Sequence, residues 1–385
     1  MARSTDKASI AKPSIYCADD GHAVCAIVSQ RGWRRVREPA AATLVLPNLP
    51  VQEDDDTSCG CCVRRGWTCS RSNLKGTCSA SACGGNGGAG GWVWASDCQH
   101  LDDKAKFFES LNRFVSATAA EAVWPETWIF KNRADILAWA AETSAALGFY
   151  VKHPRAGGGS GTNFARSAGD ACALARSALA DAGDAIVVQR AVAPATLPKG
   201  PSIFELRVWA LLRCDRAWLF SEHRAKTATR GLMNKAVQTT EADYGQFYVL
   251  NMASEAEVRS AVAGYDTTTA PNIRAAVRIA HAALRGRLDA RAFYWVGFDF
   301  IVDEQSSAWL IEANVKSHWR YDALDPWQFP SRIVRDLARE AVLDLVELIE
   351  QPRAERPRHG AAAADDDAPR GRWLPLDDEP PSDLG

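Results

Sequence analysis

Hydrophobic and polar positions change period several times along the chain, and the changes lay out its elements. VGFDFIVD and AWLIEANV, joined by Glu-Gln-Ser-Ser, are rich in β-branched and aromatic residues and predict a β-hairpin. With its turn centred between Gln305 and Ser306, Asp299 stands opposite Glu312, Gly297 and Ile301 share the face of Asp299, and Asn314 shares that of Glu312. IFELRVWALLR predicts a long strand with Phe204, Leu206, Val208 and Ala210 on one side and Glu205, Arg207 and Trp209 on the other. Shorter strands are expected at TLVL near residue 45, at FYVK ending in Lys152, at IVVQR and at AWLFS, the last antiparallel to the long strand. Helical periodicity predicts a helix from Ala23 to Arg31 ending near Gly32, and another after Asp102 with Phe107, Phe108, Leu111, Phe114 and Val115 on one face. A third is capped by Asn132, turns Ile136, Leu137 and Ala140 inward and is closed by Gly148. Asp170 to Ala182, ended by Gly183, makes a fourth; residues 240 to 292 hold two more, TTTAPN starting the second; Ser331 to Glu350 makes the last, with Ile333, Leu337, Val342, Leu345 and Leu348 inward.

Three stretches have no such period. Residues 51 to 97 open with an acidic run and are otherwise dominated by Cys, Gly and Ser, which predicts an inserted, disordered loop. HRAKTATRGLMNKAVQ reads as a basic loop carrying Arg224, Lys226, Arg230 and Lys235, and residues 351 to 385, rich in Pro, Asp and Arg, read as a disordered tail. The chain has no internal repeats.

Composition changes this picture little. The 385 residues are 47% hydrophobic and 24% charged, ordinary for a globular protein, and suit two or three small domains or one large composite one. No apolar run approaches the ~20 residues needed to cross a bilayer, and the N-terminus lacks a signal peptide's apolar segment, so a cytoplasmic protein is expected, with no membrane partner. A net charge of −2 gives no field that would draw the molecule to nucleic acid. Local charge is another matter, because Arg31, Arg34, Arg35 and Arg37 surround Trp33 and offer a contact for an acidic peptide or a solvated edge. The 11 cysteines are odd in number and no export signal accompanies them, so reduced thiols are expected. Cys59 with Cys62, and Cys78 with Cys83, have spacings a zinc knuckle uses, with Cys61, Cys69, Cys98 and His100 as further candidates, but few apolar residues are present to pack around a metal.

The chemistry concentrates in a few positions. Two carboxylates directly opposed on a sheet repel unless a cation or an Arg lies between them, and Asp, Glu and Asn together supply the oxygen ligands that hard Mg²⁺ favours. The alternative is a hairpin whose acidic residues face solvent. Lys152 is followed by Gly157, Gly158, Gly159, Ser160 and Gly161, a loop whose backbone N–H groups can approach phosphate, although it lacks the Gly-Lys-Ser/Thr of a P-loop and reads equally as a surface linker. Arg207, mid-strand, needs an anion, either Glu205 or a ligand phosphate.

In this order the parts resemble the ATP-grasp fold, and the tubulin-tyrosine-ligase-like family within it more than others. The resemblance spans about residues 15 to 350 and is carried by GHAVCAIVSQRGWRRV with ATLVLPNL, WPETWIF, YVKHPRAGGGSGT, IVVQRAVAPATL, IFELRVWALL, LMNKAVQ and VGFDFIVDEQSSAWLIEANV. It implies an α/β (α+β) protein: a disordered start at 1 to 14, a small N-terminal α/β domain at 15 to 50, the insert at 51 to 100, a central ATP-grasp subdomain at 101 to 185, a C-terminal subdomain with an antiparallel sheet at 186 to 350, and the tail at 351 to 385. It implies ATP and one or two Mg²⁺ ions as cofactors. Lys152 and the loop Gly157 to Gly161 would hold phosphates; Gln189, Arg190, Ala191 and Val192 would hold adenine; Glu205 would lie on the ribose side; Arg207 would face the γ-phosphate; and Asn234 would touch ATP or the metal shell. Asp299, Glu312 and Asn314 would bind the metal. The implied reaction adds an amino acid to a protein carboxylate through an acyl phosphate, with tubulin or another acidic-tailed protein as partner, a free amino acid as co-substrate and a monomer placed in the cytoplasm or on microtubules. A family member that binds without catalysis, and a ligase of a small metabolite, are the alternatives. The chain departs from the family at Ile203 and Ser221, where cations are usual, and at Gly231-Leu232-Met233, which stands where His-Leu-Thr is usual before Asn. Lys199, Arg224, Lys226 or Arg230 are candidate replacements. Lys316, His318 and Arg320, alternate residues after the hairpin, are candidates for gripping a substrate carboxylate.

Overall fold

The structure is a computed structural model that describes residues 13–17, 23–37, 44–46, 92–94, 98–118, 123–144, 146–155, 161–197, 202–227, 251–253, 255–289, 292–315, 332–350 and 372–376. These form an α+β protein with two sheets. The chain begins with β1 (Ser14–Cys17), α1 (Ala23–Gln30), β2 (Arg34–Arg35), β3 (Leu44–Leu46) and β4 (Trp92–Trp94), all parallel where they pair. Then come α2 (Gln99–Asp102) and α3 (Lys104–Thr118). A four-stranded antiparallel sheet follows from β5 (Thr127–Phe130), β6 (Phe149–Lys152), β7 (Thr162–Ala165) and β8 (Ile186–Arg190), in the order β5-β8-β6-β7. It is covered by α4 (Arg133–Glu142) and α5 (Ala168–Ala182).

The remaining strands complete a 12-stranded sheet. They are β9 (Thr196–Leu197), β10 (Ser202–Leu212), β11 (Ala217–Phe220), β12 (Arg224–Thr227), β13 (Asn251–Ala253), β14 (Ala292–Val302), β15 (Ala308–Val315) and β16 (Trp373–Pro375). Among them lie α6 (Glu255–Ala261), α7 (Ala270–Leu284) and α8 (Arg332–Glu350). Strand β10 is central: it pairs antiparallel with β9, β11, β12 and β14. Strand β4 lies parallel to both β3 and β14 and so joins the N-terminal strands to the large sheet.

Alternation along β10 and β14 decides what covers each face. Phe204, Leu206 and Val208, with Val296, Phe298 and Phe300, pack with Phe107, Leu111, Ile273 and Val277 of α3 and α7. On the other face Trp209, Leu211, Phe293 and Trp295 pack under Val342, Leu345 and Val346 of α8. Farther along this second face the apolar run stops and Arg207 and Asp299 begin, which is where the site lies.

Several expectations need correction. Part of the segment taken as an insert is a strand, since Trp92–Trp94 finds β3 and β14 as partners; the cysteines from Cys59 to Cys83 lie outside the described residues. Arg224–Thr227 is a strand, because β10 offers it an open edge beside Phe204 to Arg207. The tail contains β16, which pairs with β11. Leu137 is 50% exposed, and Trp139 takes the inward place instead, since it lies three residues after Ile136 on the same face of α4. That helix ends at Glu142, while Gly148, at φ +88°, turns the chain into β6, where a Cβ would meet the carbonyl oxygen of Ala165 at 2.3 Å. Cys17 and Cys25 are joined as a disulfide rather than reduced: the end of β1 and the first turn of α1 bring their Cα atoms to 6.2 Å, within bridging range. Cys98, Cys172 and Cys214 are buried thiols outside that disulfide.

Candidate functional site

The hairpin β14–β15 sets Asp299 opposite Glu312, as its sequence predicts, but by a different route. The turn is centred on Gln305, with Asp303 N–H donating to Ser307 O at 2.9 Å and the Asp303 carboxylate accepting from Gln305 N, Ser307 N and Trp309 Nε1. Ser306 takes φ +68° there. Val302, Ile301 and Phe300 therefore face Ala308, Trp309 and Leu310, one position short of the expected register, until a bulge at Ile311 restores it. The bulge leaves the Ile311 carbonyl pointing out of the ladder, where Lys152 Nζ donates to it at 3.1 Å.

Across the sheet the register aligns Arg224, Arg207, Asp299 and Glu312 on four adjacent strands. Asp299 is fully buried. Arg207 Nε donates to its Oδ1 at 2.5 Å and Arg207 Nη2 to its Oδ2, a two-pronged pair. Burial alone would lower the Arg207 pKa, but Asp299 first, then Glu205 and Glu312, outweigh it and hold the guanidinium charged. Asn314 Nδ2 donates to Asp299 Oδ2 at 3.2 Å and to Glu312 Oε1 at 2.9 Å, so oxygens of both carboxylates converge on one atom.

Two lysines approach from other elements. Lys152 Nζ, at the end of β6, also donates to Gln189 Oε1 at 2.7 Å, and Gln189 Nε2 donates to Thr127 Oγ1 at 2.9 Å. Lys152 thus ties the four-stranded sheet to the bulge of the large one. Lys104, the first residue of α3, places Nζ 3.6 Å from Glu312 Oε2. Sequence reasoning missed it, although a signal was there: a lysine in the first turn opposes the helix dipole and calls for an anion nearby. Asp103 caps the same helix, accepting from Ala105 N and Lys106 N, while Asp102 accepts from Val315 N at the end of β15.

The structure thus brings together Lys152, Gln189, Glu205, Arg207, Asp299, Glu312 and Asn314. Arg190 turns away, pairing with Glu126 and lying 5.7 Å from the Trp128 ring centroid, and the Ala191 N–H is taken by Gly148 O. Val192 is half-buried after β8. Lys226 stands opposite Glu205 in the register of β12. Gly161, at φ +65°, follows β6, and its carbonyl accepts from His153 N. Gly157, Gly158, Gly159, Ser160, Asn234, Lys316, His318 and Arg320 lie outside the described residues, as do Lys199 and Arg230.

Asp299 and Glu312 supply hard carboxylate oxygens with no soft ligand beside them, the donor type Mg²⁺ takes, while in this structure the point on which they converge is held by the Asn314 Nδ2 and both Asp299 oxygens accept from Arg207. Among the described residues no group of three or more His, Cys, Asp or Glu is placed to hold a metal. Two carboxylates are the sparse kind of protein set that Mg²⁺ uses when phosphate and water complete its shell. Cys98 and His100 form no metal group with other described residues; the His100 Nε2 accepts from Arg287 at 3.1 Å.

Fold and site define an α+β protein whose two sheets meet at a charged row of opposed carboxylates and cations. No described helix is long and apolar enough to cross a membrane. No protein-family model matches the chain, and no curated protein matches it.

Proposed function

We propose that the chain is an ATP- and Mg²⁺-dependent ligase of the ATP-grasp kind, resembling the tubulin-tyrosine-ligase-like family, that joins an amino acid to a protein carboxylate. The observation that carries this reading is the row Arg207, Asp299, Glu312 with Asn314, faced by Lys152 and Lys104. Asp299 and Glu312 would hold Mg²⁺, which supplies charge neutralisation between adjacent phosphates. Lys152 and Lys104 would meet phosphate oxygens, and Arg207 would offset charge on the transferred group. The acceptor carboxylate attacks the γ-phosphorus and ADP leaves; the amine of the amino acid then attacks the acyl phosphate, a proton is lost and phosphate leaves. The favoured acceptor is an acidic tubulin tail, which would place the protein on microtubules.

Incubation with γ-labelled ATP, tubulin and the twenty amino acids, followed by mass spectrometry of the tails, is expected to show an added residue. Glu312→Gln should lower ATP turnover at least ~100-fold while the chain stays folded at the assay temperature, as circular dichroism would show; turnover retained in that variant rules the reading out. A second reading, a member that binds nucleotide without turnover, is favoured by the engagement of both Asp299 oxygens by Arg207. Nucleotide binding with no label release in any mixture would select it. Label release that needs an amino acid but no protein acceptor would select a small-metabolite ligase.

A further inference from the structure

Residues Arg372 to Leu376, in a region whose composition predicts a disordered tail, dock on the body as a peptide does. Trp373 to Pro375 run antiparallel to β11 in the register Phe220–Trp373, Leu219–Leu374, Trp218–Pro375. Ser221 N–H donates to Arg372 O at 2.7 Å and Leu376 N–H to Ala217 O at 2.9 Å, closing both ends of the pairing. Trp373 is the anchor: it is 1% exposed, its ring lies 5.0 Å from that of Phe220 and 5.1 Å from that of Trp295, and its Nε1 donates to Ala341 O at 2.9 Å. Arg372 is the charged clasp. Its guanidinium reaches Glu222 at 2.9 Å, Asp344 at 3.1 Å and Glu340, three carboxylates from two different elements.

Where this clasp lands matters more than its strength. Glu222 and Ser221 form the turn between β11 and β12, and the next residue, His223, is fixed from the other side through Glu255, which accepts from its N–H at 2.8 Å. The strand that follows carries Arg224 and Lys226, in register with Arg207 and Glu205. We propose that residues 372–376 are a ligand tethered in cis, a strand held by edge pairing, a tryptophan anchor and an arginine clasp, whose docking sets the position of the β11–β12 turn and so of the basic strand beside Arg207. The groove between β11 and α8 is then a receptor for a short Arg-Trp-Leu-Pro-Leu strand, a mode of recognition in which backbone pairing gives affinity and side-chain pockets give selectivity. This inference does not rest on the ligase reading.

A chain ending at residue 371 and a labelled peptide of residues 370–378 test it. The peptide is expected to bind the shortened chain saturably, and its Trp373→Ala and Arg372→Glu versions at least ~10-fold more weakly. Amide exchange of residues 221–227 in the shortened chain should be faster than in the full chain and return to the full-chain rate when the peptide is added. Should the shortened chain not fold, a protease site placed between residues 351 and 371 allows the tail to be cut after folding. The cut tail should remain bound and be displaced by excess peptide but not by its Trp373→Ala version. Absent or sequence-blind peptide binding, a cut tail that leaves unaided, or exchange at 221–227 unchanged on its removal overturns the proposal. A dimer in light scattering, with the tail seated on a second copy, overturns the cis assignment.

Discussion

Arg207 and Asp299 are each other's counter-charge, and Asp299 is fully buried. A buried pair adds little against an apolar replacement of both members, but losing one strands the other. Asp299→Ala is therefore expected to cost about 3–5 kcal/mol in chemical denaturation, and Arg207→Lys to recover only part of the loss of Arg207→Ala because a lysine cannot form the two-pronged contact. His223 gives a second prediction at this scale. Its Nδ1 lies 2.6 Å from the Tyr265 hydroxyl, and burial first, then Arg259 and Arg274 against the opposing pull of Glu255, push its pKa down to about 4. Because the folded state disfavours the proton, stability is fully present above the unfolded value of about 6.5 and is lost as pH falls toward 4. The loss is on the order of 3 kcal/mol. His100, also pushed down to about 4 by burial and then by Arg287 and Lys106, adds to the same window. His223→Gln should flatten the profile only in part, as pH-resolved urea denaturation would show.

At the scale of elements, the bulge at Ile311 is the device that makes the site. It shifts β15 by one residue, so Glu312 and Asn314 reach the face of Asp299 and a free carbonyl meets Lys152. Deleting Ile311 should leave a regular ladder with Glu312 still opposite Asp299 but remove the carbonyl that Lys152 meets, so any Mg²⁺-dependent nucleotide binding that titration calorimetry detects in the parent should weaken rather than vanish. The pairing of Asp299 with Glu312 was legible in the sequence because two departures cancel: a turn one position shorter than assumed, and one extra residue. Alternation located the strands, yet it carries no information on a bulge, which depends on the twist of the whole ladder. The segment Arg224–Thr227 was misread for a related reason: its basic residues suggest a loop, and only the open edge of β10 makes it a strand.

At the scale of the whole molecule, three apolar clusters among the described residues are packed around two sheets, and the four-stranded sheet has one of its own. Ile136, Trp139, Phe149 and Val188 belong to that cluster alone. Ile136→Ala is expected to cost about 2–5 kcal/mol and to loosen this sheet ahead of the large one, so amide exchange should accelerate in β5 to β8 while β10 and β14 keep their protection. Strands β3, β6, β8, β10, β11, β14 and β15 were legible because each carries its own run of apolar or alternating residues, whereas β4, β5, β7, β12, β13 and β16 were not read as strands. The joining of β4 to β14, the approach of Lys104 to Glu312 and the return of residues 372–376 were not, since each depends on contacts between residues far apart in the chain.

That late return also bears on the chain before synthesis has passed residue 376. Strand β11 reads Ala-Trp-Leu-Phe, wholly apolar, with one side paired to β10 and the other to β16. Until β16 arrives, that second side offers uncharged, unpaired backbone to any neighbouring nascent chain, the kind of surface on which intermolecular aggregation starts. Pro375, exposed on the strand that finally covers it, has no N–H to offer and helps keep the finished rim from recruiting a further strand.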